Sequence, residues 1–263
     1  MNYNDLSIVM PCYNYGAFLA EAIESVSEAA RLGAEILVVD DGSEDQSTLQ
    51  EIRMLPDFVK VIRIEHSGPA AARNAAIRVA KGGFILPIDS DDMANPGFIE
   101  EALRLFALHP DIDVVYGDCI FVGEKSGRWH ADVVPQKLIY VNGLNVTAMF
   151  KKRVWDANEG YDESMIYGYE DWEFWLHALK NKMKFKKATA PAFYYRIRPK
   201  SLVNTTTIPQ HQDLLKYMHH KHHDFVLQNY IQVSKELHGL RNDYRQLLNA
   251  LFRLVVRKMG LGK

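Results

Sequence analysis

Through its first half the chain alternates short apolar runs with stretches of helical period. Residues 6–10, 35–39, 59–64 and 84–88 are short and rich in Ile and Val, the mark of buried strands. Between them, residues 18–30 set Leu19, Ala22, Ile23 and Val26 on one helical face, and residues 69–80 do the same with Ala72, Ala76, Ile77 and Ala80. This alternation predicts an α/β fold: a mostly parallel central sheet flanked by helices, with its ligand crevice beyond the carboxyl ends of the strands. Ser43-Glu-Asp-Gln46 reads as a capping box with Ser43 at the N-cap, and Asn95-Pro96 opens a helix through about residue 108. After Pro110 the pattern loosens, with strands at 114–116, 120–122, 184–187 and 193–197 and a helix over 170–181. From about Gln210 a long helical tail begins. The expected organisation is one domain over 1–209, with halves 1–110 and 111–209, and a tail over 210–263.

Composition narrows the function classes. The 263 residues carry a net charge of −2, which speaks against a nucleic-acid binder. No apolar run reaches the ~18 residues that span a bilayer, and Met1 to Asp5 is too polar, and Leu6 to Met10 too short, for a secretory leader. Cys12 and Cys119 alone make no disulfide framework, so a cytoplasmic protein is expected.

Three polar clusters follow predicted strands: Pro11-Cys-Tyr-Asn14, Asp40-Asp-Gly-Ser43 and Asp89-Ser-Asp-Asp92. In a parallel sheet all three meet at one carboxyl edge. Three carboxylates in four residues repel one another unless a cation sits among them, and a hard, oxygen-loving ion such as Mg²⁺ or Mn²⁺ suits them. The plain alternative is a solvated acidic loop leading into the helix at Asn95. Tyr13 offers a stacking face and Asp41 an acceptor for an imide N–H, which suits a pyrimidine base; both also suit an ordinary strand edge and turn. Arg73, one turn into its helix, can pair with a phosphate or with the acidic loops. In Gly168-Tyr-Glu-Asp-Trp-Glu-Phe-Trp175, the acids Glu170 and Asp171 open a helix, where the dipole favours carboxylates, and a cleft-facing carboxylate there can serve as a general base.

Taken together and in chain order, these residues resemble the family 2 glycosyltransferases, inverting enzymes of the GT-A fold. The resemblance covers residues 6–201. It rests on Ser7-Ile-Val-Met-Pro-Cys-Tyr-Asn14, Val38-Val-Asp-Asp-Gly-Ser43, Gly68 through Ala-Arg-Asn74, Ile88-Asp-Ser-Asp-Asp92, Tyr161-Asp-Glu163, Gly168-Tyr-Glu-Asp171 and Tyr195-Arg196. It implies a nucleotide-sugar donor, expected to be a UDP-sugar, held by Pro11, Tyr13, Asn14, Asp41, Arg73, Asp89, Asp91 and Arg198. Tyr13 would stack on the base and Asp41 bond it. Asp91 would lie near the ribose and share the metal, Mg²⁺ or Mn²⁺, with Asp92. Asp171 would be the catalytic base, with Glu170 beside it. The implied acceptor is a hydroxyl on a glycan or lipid-linked sugar, in the synthesis of a polysaccharide or other surface glycan. Relatives often carry a histidine shortly after the Tyr-Arg pair; here Arg198 stands nearest, and arginine clamps phosphate but cannot ligate a metal.

Other readings compete. A nucleotidyltransferase needs a Gly-rich basic loop after the first strand and a dehydrogenase needs G-x-G-x-x-G there; neither is present. A non-catalytic nucleotide-sugar-binding subunit acting through its tail would have no need of Asp171. The histidines His211, His219, His220, His222 and His223 invite a metal reading, but lacking a nearby Cys or an H-E-x-x-H pattern they are expected to lie on a hydrated helix or linker. In the tail, Tyr230, Val233, Leu237, Leu240, Tyr244, Leu247, Leu251 and Leu254 alternate spacings of three and four. Three outcomes suit that stripe: packing on its own domain, a homodimer, or peripheral contact with the inner face of a membrane, where the basic and apolar residues of 251–259 would sit.

Overall fold

A computed structural model describes residues 2–197 and 207–258, with side chains in the last helix given through Arg241 and again at Arg245 and Gln246. The first half builds β1 (Leu6–Cys12), α1 (Gly16–Arg31), β2 (Glu35–Asp40), α2 (Gln46–Arg53), β3 (Val59–Arg63), α3 (Pro69–Val79) and β4 (Phe84–Pro87). A short β5 (Met93–Ala94) and α4 (Pro96–Leu108) follow, with Asn95 accepting from Gly97 N as N-cap and Pro96 first in the helix. The second half holds β6 (Val114–Tyr116), β7 (Cys119–Gly123), β8 (Gly127–Trp129), α5 (Pro135–Leu138), β9 (Met149–Lys151), α6 (Lys152–Ala157), α7 (Glu170–Lys180), β10 (Phe185–Lys187) and β11 (Phe193–Ile197). Two further helices, α8 (Ile208–Lys221) and α9 (His223–Lys258), complete it.

The main sheet has seven strands in the order β10-β6-β9-β4-β1-β2-β3. All its pairings are parallel except those of β9, which runs antiparallel to β4 and β6. Strands β1 and β2 end in register, Cys12 opposite Asp40, and β4 lies on the other side of β1. The segments after β1, β2 and β4 therefore leave the sheet at the same edge. A second sheet, β5-β11-β7-β8, brings Tyr195 and Trp129 alongside that edge.

The apolar faces named by periodicity are the buried ones. Leu19, Ala22, Ile23 and Val26 pack α1 on one side of the sheet, while Ala72, Ala76, Ile77 and Ala80 join α3 to the other side through Val9, Leu37 and Val39. Burial of such side chains contributes roughly 1.5–3 kcal/mol each for the larger ones. Cys12 and Cys119 are free and buried, and burial pushes both thiols up to about 11.

Two sequence expectations need correction. The N-cap of α2 is Asp45, whose carboxylate accepts from Ser47 N and Thr48 N, and not Ser43. Ser43 is drawn away because its hydroxyl accepts from Asn14 N across the strand ends. Nor are the histidines uniformly on a hydrated surface: His222 is buried, and its Nε2 meets Glu173 Oε1 at 2.7 Å.

Candidate active site

The segment after β1 is locked to the segment after β2. Asn14, in the left-handed region at φ 54°, accepts Glu44 N and Asp45 N on its side-chain oxygen, each at 3.0 Å. Its side chain is thus spent on the fold, while Pro11 stays within β1 opposite Val39. Tyr13 stacks on His66 with centroids 3.7 Å apart and planes at 14°. Asp41, buried, accepts from Ser67 N at 2.8 Å, Gly68 N at 2.9 Å and His66 Nδ1 at 2.9 Å. Asp40 is paired with Arg63 and accepts from Ser43 N at 2.8 Å. One corner of the sheet edge therefore joins an aromatic pair, Tyr13 on His66, to a buried carboxylate through the His66 ring. His66 belongs to that corner and carried no motif by which the sequence could have announced it.

Beyond β4, one ligand oxygen from each of Asp89, Asp91 and Asp92 lies within 4.8 Å of the others. Asp92 is buried and accepts Arg196 N at 2.8 Å; Asp91 O accepts Arg196 Nε at 3.0 Å. Arg196, in β11, thereby holds the acidic turn in shape. An all-carboxylate donor set of this size fits a hard divalent cation. Arg198 lies outside the described residues.

Arg73 joins this loop to the other half of the domain. It is 2% exposed, donates to Asp89 Oδ1 and Glu170 Oε1 at 2.6 Å each, and lies 5.6 Å over the Tyr161 ring. Burial alone would lower its pKa, but the two carboxylates carry it above its ordinary value. Next to it, Asn74 uses its whole side chain on the fold: Nδ2 donates to Tyr161 O and Glu163 Oε1, and Oδ1 accepts from Trp155 Nε1 and Tyr161 N. The Arg73-Asn74 and Tyr161-Asp-Glu163 motifs are two sides of one joint.

Helix α7 is aimed by backbone geometry. Gly168 and the N-cap Tyr169 both have positive φ, 101° and 66°, which turns the chain so that the helix starts at the crevice. Trp172 and Trp175 then bury the helix and donate to Leu138 O and Asn145 O, tying residues 131–146 to it. Asp171 accepts Trp172 N at 2.7 Å, and Asn142 Nδ2 stands 3.5 Å from each of its oxygens. Burial, then the neighbouring Glu170 charge, pushes Asp171 up to about 7, against the pull of Arg73 and of the Trp172 N–H. Asp92, Asp171, Asn142, Asn145, Trp129 and Tyr195 line one cavity of about 350 Å³. Asn142, Asn145 and Trp129 sit in the stretch where the sequence pattern is least regular, and no motif marked them.

The arrangement is an acidic metal-type loop and a second carboxylate of raised pKa, facing across one cavity and joined by a buried arginine. A family model described as glycosyl transferase family 2 matches residues 7–198. The chain belongs to that family. Its fold is GT-A-like. Among curated relatives it is similar to the glycosyltransferase GlyG of Streptococcus pneumoniae, 37% identical over 50% of this chain and 44% of that protein. It is also similar to WfgD of Escherichia coli, 32% identical over 51% of this chain and 53% of that one; WfgD is a UDP-Glc:alpha-D-GlcNAc-diphosphoundecaprenol beta-1,3-glucosyltransferase. The crystal structure of S. aureus TarS 1-349 in complex with UDP matches with a TM-score of 0.62 and 26% identity, covering 74% of this chain and 61% of that one. The chain spans about half the length of those two curated relatives.

Proposed function

We propose that the chain is an inverting transferase that moves a hexosyl or N-acetylhexosaminyl group from a UDP-sugar to a hydroxyl of a glycan or lipid-linked acceptor, in surface-glycan synthesis. The observation that carries this is the placement of Asp171, at the start of α7 and in the same cavity as Asp92, where burial and the Glu170 charge raise its pKa. Such a group is ionised enough at neutral pH to accept a proton and basic enough to make the transfer worthwhile.

Residues 1–110 hold the donor and 111–209 supply the base and acceptor side, while 210–263 form the tail. The uracil ring rests on Tyr13 and its N3–H points to Asp41. Pro11 and Asn14 shape that subsite, and a phosphate is assigned to Arg198 from the sequence resemblance alone. Asp92 and Asp91, supported by Asp89, would hold Mg²⁺ or Mn²⁺, which when bound neutralises the charge of the departing diphosphate. Arg73 keeps Asp89 and Glu170 at fixed separation, so the two halves of the site stay aligned. The acceptor oxygen attacks the anomeric carbon from the side of Asp171, the bond from that carbon to the diphosphate oxygen breaks with its electron pair leaving on UDP, and the acceptor proton passes to Asp171. One displacement inverts the anomeric centre and requires no enzyme nucleophile.

Two relatives support the substrate class: TarS has been crystallised with UDP, and the name of WfgD specifies a UDP-sugar donor and a lipid-linked acceptor. The experiment is a panel of UDP-sugars with Mn²⁺, reading UDP release with and without glycan and diphospholipid acceptors. UDP release dependent on one sugar and metal supports the proposal. Tight UDP-sugar binding with no turnover on any acceptor would instead favour a binding subunit that works through its tail.

A further inference from the structure

Away from the catalytic cavity, the lower half of α7 meets the end of α8 in a second cluster of ligand-type side chains. Glu173 and His177 are one helical turn apart on the same face of α7, and His222, just past the end of α8, comes down on them. One ligand atom from each of the three lies within 4.8 Å of the others. Six buried side-chain atoms lack a hydrogen-bond partner among the described residues, and three of them are here: Glu173 Oε2, His177 Nδ1 and His222 Nδ1. Glu173 and His222 are at most 1% exposed. Leaving a buried polar atom unsatisfied costs about 1–3 kcal/mol, so beyond the bond between His222 Nε2 and Glu173 Oε1 each of the three side chains keeps an atom in want of a partner.

We propose that Glu173, His177 and His222 form a second metal site, separate from the acidic loop, that takes Zn²⁺ and fastens the tail helices to the helix bearing Asp171. Two imidazoles and one carboxylate are a borderline donor set, which suits Zn²⁺ and discriminates against Mg²⁺. Lys221 is the opposing element. Its Nζ lies 2.9 Å from Glu173 Oε1 and also pairs with Asp162. It occupies Oε1 and leaves Oε2 to the metal, but its charge weakens the site. Removing it should tighten binding.

The test uses the full chain, stripped with chelator and titrated with Zn²⁺ in calorimetry, with Mg²⁺ in excess to mask the acidic loop. Co²⁺ substitution gives a visible spectrum that reports imidazole ligation. One equivalent of Zn²⁺ is expected, raising the thermal midpoint by roughly 4 °C or more at saturation. His177→Asn should weaken it by about tenfold or more, Lys221→Met should strengthen it, and Asp92→Ala should leave it intact. His222→Gln should abolish it, and the half-buried His177 provides the variant that keeps the fold. No binding at about 100 μM Zn²⁺ would mean that a water satisfies the three atoms, and overturns the proposal. So does Zn²⁺ binding that vanishes in Asp92→Ala and survives His177→Asn.

Discussion

Arg73 and Glu170 lie 97 positions apart in the chain and 2.6 Å apart in the fold. Their bond closes the donor-side half of the domain onto the helix that carries Asp171, and Asp89 takes the other end of the same guanidinium at 2.6 Å. A buried cation with two carboxylates is poor evidence of net stability, since desolvation offsets much of the attraction. Its removal is a different matter, because the buried Glu170 is then left without its cation, and the part-exposed Asp89 loses its own.

The first prediction follows from that asymmetry. Arg73→Ala should cost about 3–5 kcal/mol of unfolding free energy in urea titration. Arg73→Lys should cost less, since a single ammonium can still serve one carboxylate. Because Arg73 also pulls Asp171 down, its loss should move the pH at which Asp171 ionises upward. A variant as stable as the parent would show that Arg73 is not the joint of the site.

The second prediction concerns Asp171 itself. Asp171→Asn should retain UDP-sugar binding while transfer falls by roughly 10²-fold or more. In the parent, kcat/KM should rise with pH and level off above about 7, where Asp171 is ionised. Stability runs the other way. The folded state holds the Asp171 proton more tightly than the unfolded chain, whose carboxyl titrates near 3.8, so this residue makes stability fall as pH climbs from about 4 to about 7. Asp171→Asn should therefore melt higher than the parent at pH 8 and close to it at pH 4. If Glu170→Gln is dead and Asp171→Asn is active, the base is the neighbouring carboxylate.

How far the sequence could be read depended on how local the cause was. The strands from β1 to β4 and the helices α1, α3 and α4 follow from periodicity and caps, and were legible within a residue or two. The cap of α2 was not, because Ser43 and Asp45 are equally good on paper and only the long-range bond from Asn14 N to Ser43 decides between them. The acidic loop and the Glu170-Asp171 helix start were legible because charge density is visible in a string. The division of work between Glu170, which pairs with Arg73, and Asp171, which stands beside Asn142, is a matter of rotation about α7 and was not. Trp129 and Asn142 arrive through a three-residue strand and an irregular stretch, neither of which has a period to read.

The third prediction tests the acidic loop. Asp92→Ala should abolish turnover and the metal dependence of UDP binding while leaving the circular dichroism spectrum unchanged. Asp92 is buried and holds Arg196 N, so a modest loss of thermal stability, about 1–3 kcal/mol, should accompany it. Full activity in the presence of chelator would exclude a metal-dependent route.

The fourth prediction is base preference. Under the proposed assignment the Asp41 carboxylate accepts the N3–H of uracil, so UDP should bind at least about tenfold more tightly than ADP, a difference of 1.4 kcal/mol. Guanine also carries an imide-like N–H, which makes GDP the demanding competitor. Asp41 already accepts from Ser67 N and Gly68 N, so Asp41→Asn should loosen the 66–68 loop as well as weaken UDP. A calorimetric series in which GDP binds more tightly than UDP would refute the assignment.

The last prediction concerns the tail. Phe225 and Val226, at the start of α9, pack against the core, and Asn229 is buried. Beyond that point the apolar stripe faces outward: Tyr230 is 66% exposed, Leu237 61% and Leu240 65%. Among the described side chains, then, the stripe is not covered by its own domain after the first turns, which leaves a second copy or a membrane surface to cover it. No described helix is long and apolar enough to cross a bilayer, so a membrane role means contact along the surface. The residues after Asn249 add Arg253, Arg257, Lys258 and Lys263 without a single acid. At about 1 kcal/mol for each basic residue near an anionic leaflet, those four supply a salt-sensitive attraction of roughly 4 kcal/mol, or about three decades of affinity. Removing everything after Asn249 should leave donor hydrolysis in solution nearly unchanged while sedimentation with anionic liposomes at low salt drops sharply. The parent should also lose its liposome binding as salt rises, because the Debye length shortens to about 3 Å at 1 M. Should the full chain fail to sediment with anionic liposomes at low salt and instead run as a dimer that the truncation turns into a monomer, the exposed stripe is a subunit contact and the membrane role is wrong.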